Sequence, residues 1–149
     1  MAGTTAAGLG AILASHAPEA DAGTPSDPVK LVCAIRRRAD LSPAQFYDYW
    51  LNHHGPLAVE QITVLGGYRY VQSHTADPTQ NLLLAAARGT GEAFDGIVEV
   101  WFPSEQAVIA AFATPAGVEA NDRLTQDEQN FIDLARSSYF VTNEHVLLG

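Results

Sequence analysis

An imidazole near its ordinary pKa of about 6.5 both accepts and returns a proton at neutral pH, the requirement of dehydration, isomerisation and aldol-type cyclisation. Three of the chain's five histidines stand in strongly patterned segments: His53 and His54 together within residues 46–57, and His74 at the end of residues 68–74. Glu99, between Ile97 and Trp101, is a second kind of candidate. An ionised carboxylate on a covered face needs a partner such as His54, Arg36 or Arg69, or else a raised pKa. Each has a structural alternative: a histidine at a helix C-terminus caps carbonyls, His74 closes the rim of a strand, and Glu99 makes a structural ion pair. Asp95, before Gly96, fits a turn as readily as a binding site. Tyr49, Trp50, Tyr70, Gln72, Trp101 and Tyr139 are candidates for the walls of a substrate cavity, although aromatics at such spacings also build cores.

Other chemistries lack their residues. There is no H-E-x-x-H, and His53 and His54 cannot both face one ion from a regular helix, so no metal site is expected. Gly89-Thr90-Gly91 lacks the context of a phosphate loop, and no G-x-S-x-G elbow occurs. A site that works by acid/base chemistry without a cofactor remains.

The elements that must position these residues follow from periodicity. Residues 29–36 read as a strand apolar on both faces, hence inside a sheet. Ser42 as N-cap, Pro43 at the first helical position and Gln45 as capping-box partner start a helix that is expected to end near Gly55-Pro56. Its apolar side collects Phe46, Tyr49, Trp50, His53 and Leu57. After Gly66-Gly67, residues 68–74 form a strand with Tyr68, Tyr70, Gln72 and His74 on one face. Residues 76–95 are too long for a hairpin turn and hold the apolar run 82–87, so a short helix folded over something is expected. Residues 96–102 form a third strand, with Ile97, Glu99 and Trp101 on one side. A second helix runs from Ser104 to about Thr114-Pro115, a third is expected around Phe131 and Leu134 with Thr125 and Glu128 as its capping box, and residues 139–146 supply a last strand. The order is βαββαβ: an α+β, ferredoxin-like plait with a four-stranded antiparallel sheet. Its helices cover one sheet face, and a second copy is the expected cover for the other.

With 149 residues, 47% hydrophobic and 17% charged, the chain suits one domain over 29–149 behind a flexible tail over 1–28. Its 17 acidic against 8 basic residues give a net charge of −9, which disfavours nucleic acid and anionic membranes. No basic n-region precedes Lys30 and no apolar run approaches a bilayer span, so a cytoplasmic location is expected. Cys33, the only cysteine, sits in an apolar strand and is expected to be structural.

Phe46-Tyr47-Asp48-Tyr49-Trp50-Leu51-Asn52-His53-His54-Gly55-Pro56-Leu57 resembles the EthD signature F-x-x-Y-W-x-x-x-H-[AG]-P. Residues 70–74 resemble that family's second strand and residues 94–102 its D-G-x-x-E-x-W-F third strand. The resemblance covers about residues 29–148. It implies a dimeric α+β barrel, favours His54 over His53 as the motif histidine, and implies a homodimer with an enclosed small-molecule site. Members of this superfamily include dehydratases, decarboxylases, lactone isomerases, cyclases, cofactor-free oxygenases, haem proteins and accessory proteins of degradative pathways. The expectation is a cofactor-independent dehydratase, isomerase or cyclase-type lyase for a small aromatic, polyketide-like or lactone substrate. Alternatives are a small-molecule-binding accessory protein and a cofactor-free or haem-dependent oxidoreductase.

Overall fold

Val29–Ile35 forms β1 in the middle of the sheet, as a strand apolar on both faces should. The computed structural model describes residues 27–149, and the expected tail falls outside that range except for Asp27 and Pro28. With β2 at Arg69–His74, β3 at Gly96–Phe102 and β4 at Ser138–Asn143, the sheet order is β2-β3-β1-β4. All neighbours are antiparallel.

Register sorts the side chains. Cys33 lies opposite Val98 and Tyr139, and Val100 lies opposite Leu31 and Tyr70. Paired positions share a face, so Cys33, Tyr70, Gln72, His74, Val98 and Tyr139 look toward the helices. Lys30, Val71, Ile97, Glu99, Trp101 and Phe140 occupy the opposite, open face. Tyr68 precedes β2 and is exposed.

Between β1 and β2 runs one continuous helical rod of three parts: α1 at Pro43–Asp48, a π-helical turn at Tyr49–His54, and α2 at Gly55–Val64. The capping box forms as expected. Ser42 Oγ accepts the Gln45 N–H at 3.2 Å, and Gln45 Oε1 accepts the Ser42 N–H at 2.9 Å. The expected stop at Gly55-Pro56 does not occur, for a reason given below.

Helix α3, Pro78–Arg88, fills the long connection, capped by Asp77 and closed by Gly89 at φ 65. It buries none of its residues, and Leu82, Leu83 and Leu84 face outward. Helix α4, Glu105–Ala113, starts at Ser104. Helix α5, Pro115–Glu128, starts immediately afterwards, with Thr114 Oγ1 accepting the Gly117 N–H at 2.9 Å. The expected third helix around Phe131 is therefore corrected: Thr125 and Glu128 are the last turn of α5, and only a short 3-10 turn, Leu134–Arg136, follows. The chain is an α+β, ferredoxin-like plait. The largest fully buried side chains of its core are Phe46, Trp50, Phe131, Phe102, Ile35 and Val100, the aliphatic and phenylalanine members each stabilising by about 1.5–3 kcal/mol.

Candidate active site

Pro56 has no N–H, and in an unbroken α-helix its ring would press on the carbonyl four residues earlier. The rod yields by widening instead of ending. The Gly55 N–H bonds the Trp50 carbonyl, five residues back rather than four. That carbonyl also accepts from Gln72 Nε2 at 3.1 Å, which ties the π turn to β2. His54 is thus inside a helix, and the carbonyl-capping alternative lapses.

The rotation of the rod buries His54, leaving it 4% exposed, while His53 points outward and stacks on Tyr49. His54 Nδ1 lies 2.8 Å from Asp127 Oδ2. Asp127 Oδ1 accepts the Tyr49 hydroxyl at 2.7 Å, and Asn130 Nδ2 donates to the Tyr49 oxygen at 3.1 Å. Because the carboxylate accepts only, the bond places the ring proton on Nδ1 and leaves Nε2 with its lone pair. Burial lowers the His54 pKa, and Asp127 opposes the shift by favouring the charged ring. A neutral, oriented imidazole at pH 7 is the outcome.

His54 borders a cavity of about 170 Å³ between sheet and helices, together with Trp50, Tyr70, Cys33, Glu128 and Tyr139; aliphatic side chains, two phenylalanines, Asn121 and Thr125 form the remaining wall. An apolar cavity of about 150 Å³ accommodates a benzene-sized molecule. Burial pushes the Cys33 thiol up, as expected of a structural cysteine. It pushes the Tyr70 phenol up to about 12.

A chain of side chains orients Tyr70. His74 Nε2 meets Gln72 Oε1 at 3.0 Å, and Gln72 Nε2 donates to the Tyr70 oxygen at 2.8 Å. With its oxygen already accepting, Tyr70 has its own proton to give. The Trp50 indole N–H beside the cavity is fully buried; it makes no hydrogen bond of good geometry, yet it lies close enough to the Tyr70 oxygen to work against the rise in that phenol's pKa. His74 itself is sandwiched between the Tyr47 and Trp50 rings, at centroid distances of 4.9 and 4.4 Å, and desolvation lowers its pKa. It supports the cavity from outside.

Four other expected site residues stand apart from the cavity. Glu99 is on the open sheet face, where Lys30 Nζ meets it at 2.7 Å, so its partner is none of those foreseen. Odd-numbered β3 residues point away from the helices, and Glu99 cannot reach His54. Trp101 shares that face, with Arg69 over its ring at 4.3 Å. Asp95 braces the start of β3, its Oδ2 accepting the Arg37 backbone N–H at 2.8 Å and its carbonyl the Tyr47 hydroxyl at 2.9 Å. His53 faces outward. Asp127, Glu128 and Asn130 carry no site signal in the sequence, where Thr125 and Glu128 have the spacing of a helix start. Thr114-Pro115, an N-cap followed by proline at the first position, was the available signal for α5.

A ferredoxin-like plait with a buried His–Asp pair beside a partly enclosed cavity is the class that fold and site define. The EthD domain matches residues 38–135, and the chain belongs to the EthD family. No curated protein matches it. Similar solved structures include an EthD family protein from Bacillus halodurans, at 14% identity and a TM-score of 0.54 over 79% of this chain and 99% of that one. An EthD-like protein from Ralstonia eutropha aligns at 12% identity with a TM-score of 0.53, over 83% of this chain and 96% of that one. A dimeric protein of ferredoxin-like fold and unknown function from Bacteroides fragilis aligns at 10% identity with a TM-score of 0.51, over 78% of this chain and 96% of that one. At these identities the likeness speaks for the fold. Among the described residues no helix is long and apolar enough to cross a membrane, and no group of three His, Cys, Asp or Glu could hold a metal ion.

Proposed function

We propose that the protein is an acid/base enzyme of the lyase or isomerase type, acting on a small, neutral ring compound bearing a carbonyl or hydroxyl oxygen. The observation that carries this reading is the His54–Asp127 pair. It fixes Nδ1 as donor to the carboxylate at 2.8 Å and leaves Nε2 as base, on a ring that borders the cavity. Tyr70, its oxygen held by Gln72 and flanked by the Trp50 N–H, supplies a donor for a substrate oxygen, whose negative charge grows as the carbon proton leaves. The cavity's volume suits one ring and not a macrocycle, which favours this chemistry over a haem-dependent oxidoreductase.

The same reading includes a homodimer. The open sheet face carries Val32, Val71, Ile97 and Phe140, with Ile97 40% and Phe140 48% exposed, an apolar surface that a second copy would cover. Pairing there closes the barrel and stiffens the sheet on which Tyr70 and Tyr139 stand.

The test uses cyclohexanone, a six-membered ketone that fits the cavity, with exchange of its α-hydrogens into D2O followed by proton NMR. Wild-type protein accelerates the exchange, and His54→Ala lowers the rate by about 10²- to 10⁴-fold with the fold retained. Binding of cyclohexanone with no exchange by wild type would overturn the enzyme reading in favour of an accessory binding protein.

A further inference from the structure

Asp127 and Glu128 are consecutive, yet they serve different sides of the same site. Asp127 holds the back of the His54 ring, whereas Glu128 borders the cavity itself. No cation within salt-bridge reach faces Glu128 among the described residues. The groups packed around it are Asp127 from its own helix, Tyr139 from β4, Cys33 from β1 and Tyr70 from β2. All are neutral or negative, and each of the three uncharged groups is harder to ionise because Glu128 is near. A carboxyl group on the wall of a mostly apolar cavity, with a tyrosine hydroxyl and no cation beside it, is poorly placed to anchor the fold and well placed to hold a proton. Burial accordingly raises its pKa from 4.5 to about 7, with the Tyr139 hydroxyl working against the shift.

Resting on the acid/base reading above, we propose that Glu128 is the second proton-transfer group of this cavity. It gives its proton to the substrate oxygen while His54 takes one from the neighbouring carbon, and the substrates are small cyclic ketones and their β-hydroxy derivatives.

The step balances. His54 Nε2 removes an α-hydrogen as a proton, the C–H pair becomes the new C=C bond, and the carbonyl π pair takes the Glu128 proton to give the enol. Imidazolium and carboxylate remain, and the reverse transfers restore both. With a β-hydroxy ketone the Glu128 proton goes to the hydroxyl, the C–O bond breaks with its pair leaving on oxygen, and water departs from an enone. No oxidant, reductant or metal enters.

The experiment is the pH profile of cyclohexanone α-hydrogen exchange for wild type, Glu128→Gln, Glu128→Asp and His54→Ala, with circular dichroism to verify folding. The wild-type profile is bell-shaped, rising as His54 loses its proton and falling above about pH 7 as Glu128 loses its own. Glu128→Gln exchanges roughly 10²-fold more slowly at pH 6 and has no fall above pH 7. Glu128→Asp, with its shorter reach, keeps a falling limb at reduced rate. A Glu128→Gln protein with wild-type rate and a wild-type descent above pH 7 would overturn the assignment while leaving His54 as base. Equal rates for wild type and His54→Ala would overturn the underlying reading instead, and this one with it.

Discussion

His54 and Asp127 stand 73 positions apart in the sequence and 2.8 Å apart at Nδ1 and Oδ2. The contact joins the π turn of the first helical rod to the last turn of α5, over the edge of a cavity that neither element could make alone. It needs the widened turn, which exists because Pro56 follows.

Asp127→Asn tests the orienting role. The carboxamide can donate to Nδ1, which stabilises the tautomer that carries its proton on Nε2, and removes the base. The exchange rate should fall roughly 10²-fold. Whatever activity remains should persist to lower pH, because Asp127 raises the His54 pKa and its loss lets burial depress that pKa further. Stability should drop by about 1.5–3 kcal/mol, the scale of a hydrogen bond to a charged group, as read from denaturant unfolding. A full-rate Asp127→Asn protein would remove the carboxylate from the account.

Gly96→Ala tests how the sheet seats Trp50. A Cβ at this position would lie 2.6 Å from the Trp50 ring and 2.7 Å from the Ser73 carbonyl, so the ring or the strand must shift. Overpacking of this kind costs about 1–3 kcal/mol. Unfolding by urea should show that loss, and the displaced indole should weaken cyclohexanone binding. An unchanged midpoint would mean that the ring relaxes freely, against the tight seat described.

Stability against pH follows from Glu128. Its folded pKa of about 7 stands above the unfolded value of 4.5, so the native state binds more protons between those values. The contribution of Glu128 is fully present below about pH 4.5 and is lost as pH rises through about 7. Glu128→Gln removes that loss, so its melting temperature relative to wild type should rise between pH 5 and pH 8. A difference independent of pH would place the carboxyl in water.

Local signals were easiest to read where a short-range rule decides the structure. Ser42-Pro43-Ala44-Gln45 specified its own capping box, and the two-residue alternation of β2 put Tyr70, Gln72 and His74 on one face. His54 was legible from the motif, whereas its partner was not, because a hydrogen bond across 73 positions leaves no periodicity. Glu99 misled for the opposite reason. Alternation told that it shared a face with Ile97 and Trp101, but only the register with β1 shows which face, and that Lys30 waits there. The π turn was hidden because Pro56 reads locally as a stop, and only packing on both sides of it holds the rod together.

Phe140→Asp addresses the open face. Phe140 lies at the sheet edge, 48% exposed, pointing away from the helices. A charge there should prevent the proposed pairing of two copies without unfolding the subunit, since the residue is outside the core cluster. Light scattering should give a dimer for wild type and a folded monomer for the variant. A wild-type monomer at micromolar concentration would refute pairing through this face.

The central claim is that His54 is held neutral at pH 7, with the proton on Nδ1 and the Nε2 lone pair free, on a ring that borders the cavity. Long-range proton–nitrogen correlation NMR on uniformly ¹⁵N-labelled protein reads both ring nitrogens directly, with His54→Ala to assign the signal. The account predicts a pyrrole-type Nδ1, a pyridine-type Nε2, and protonation only below the ordinary histidine pKa of about 6.5. An imidazolium at pH 7, or a neutral ring protonated on Nε2, would contradict it.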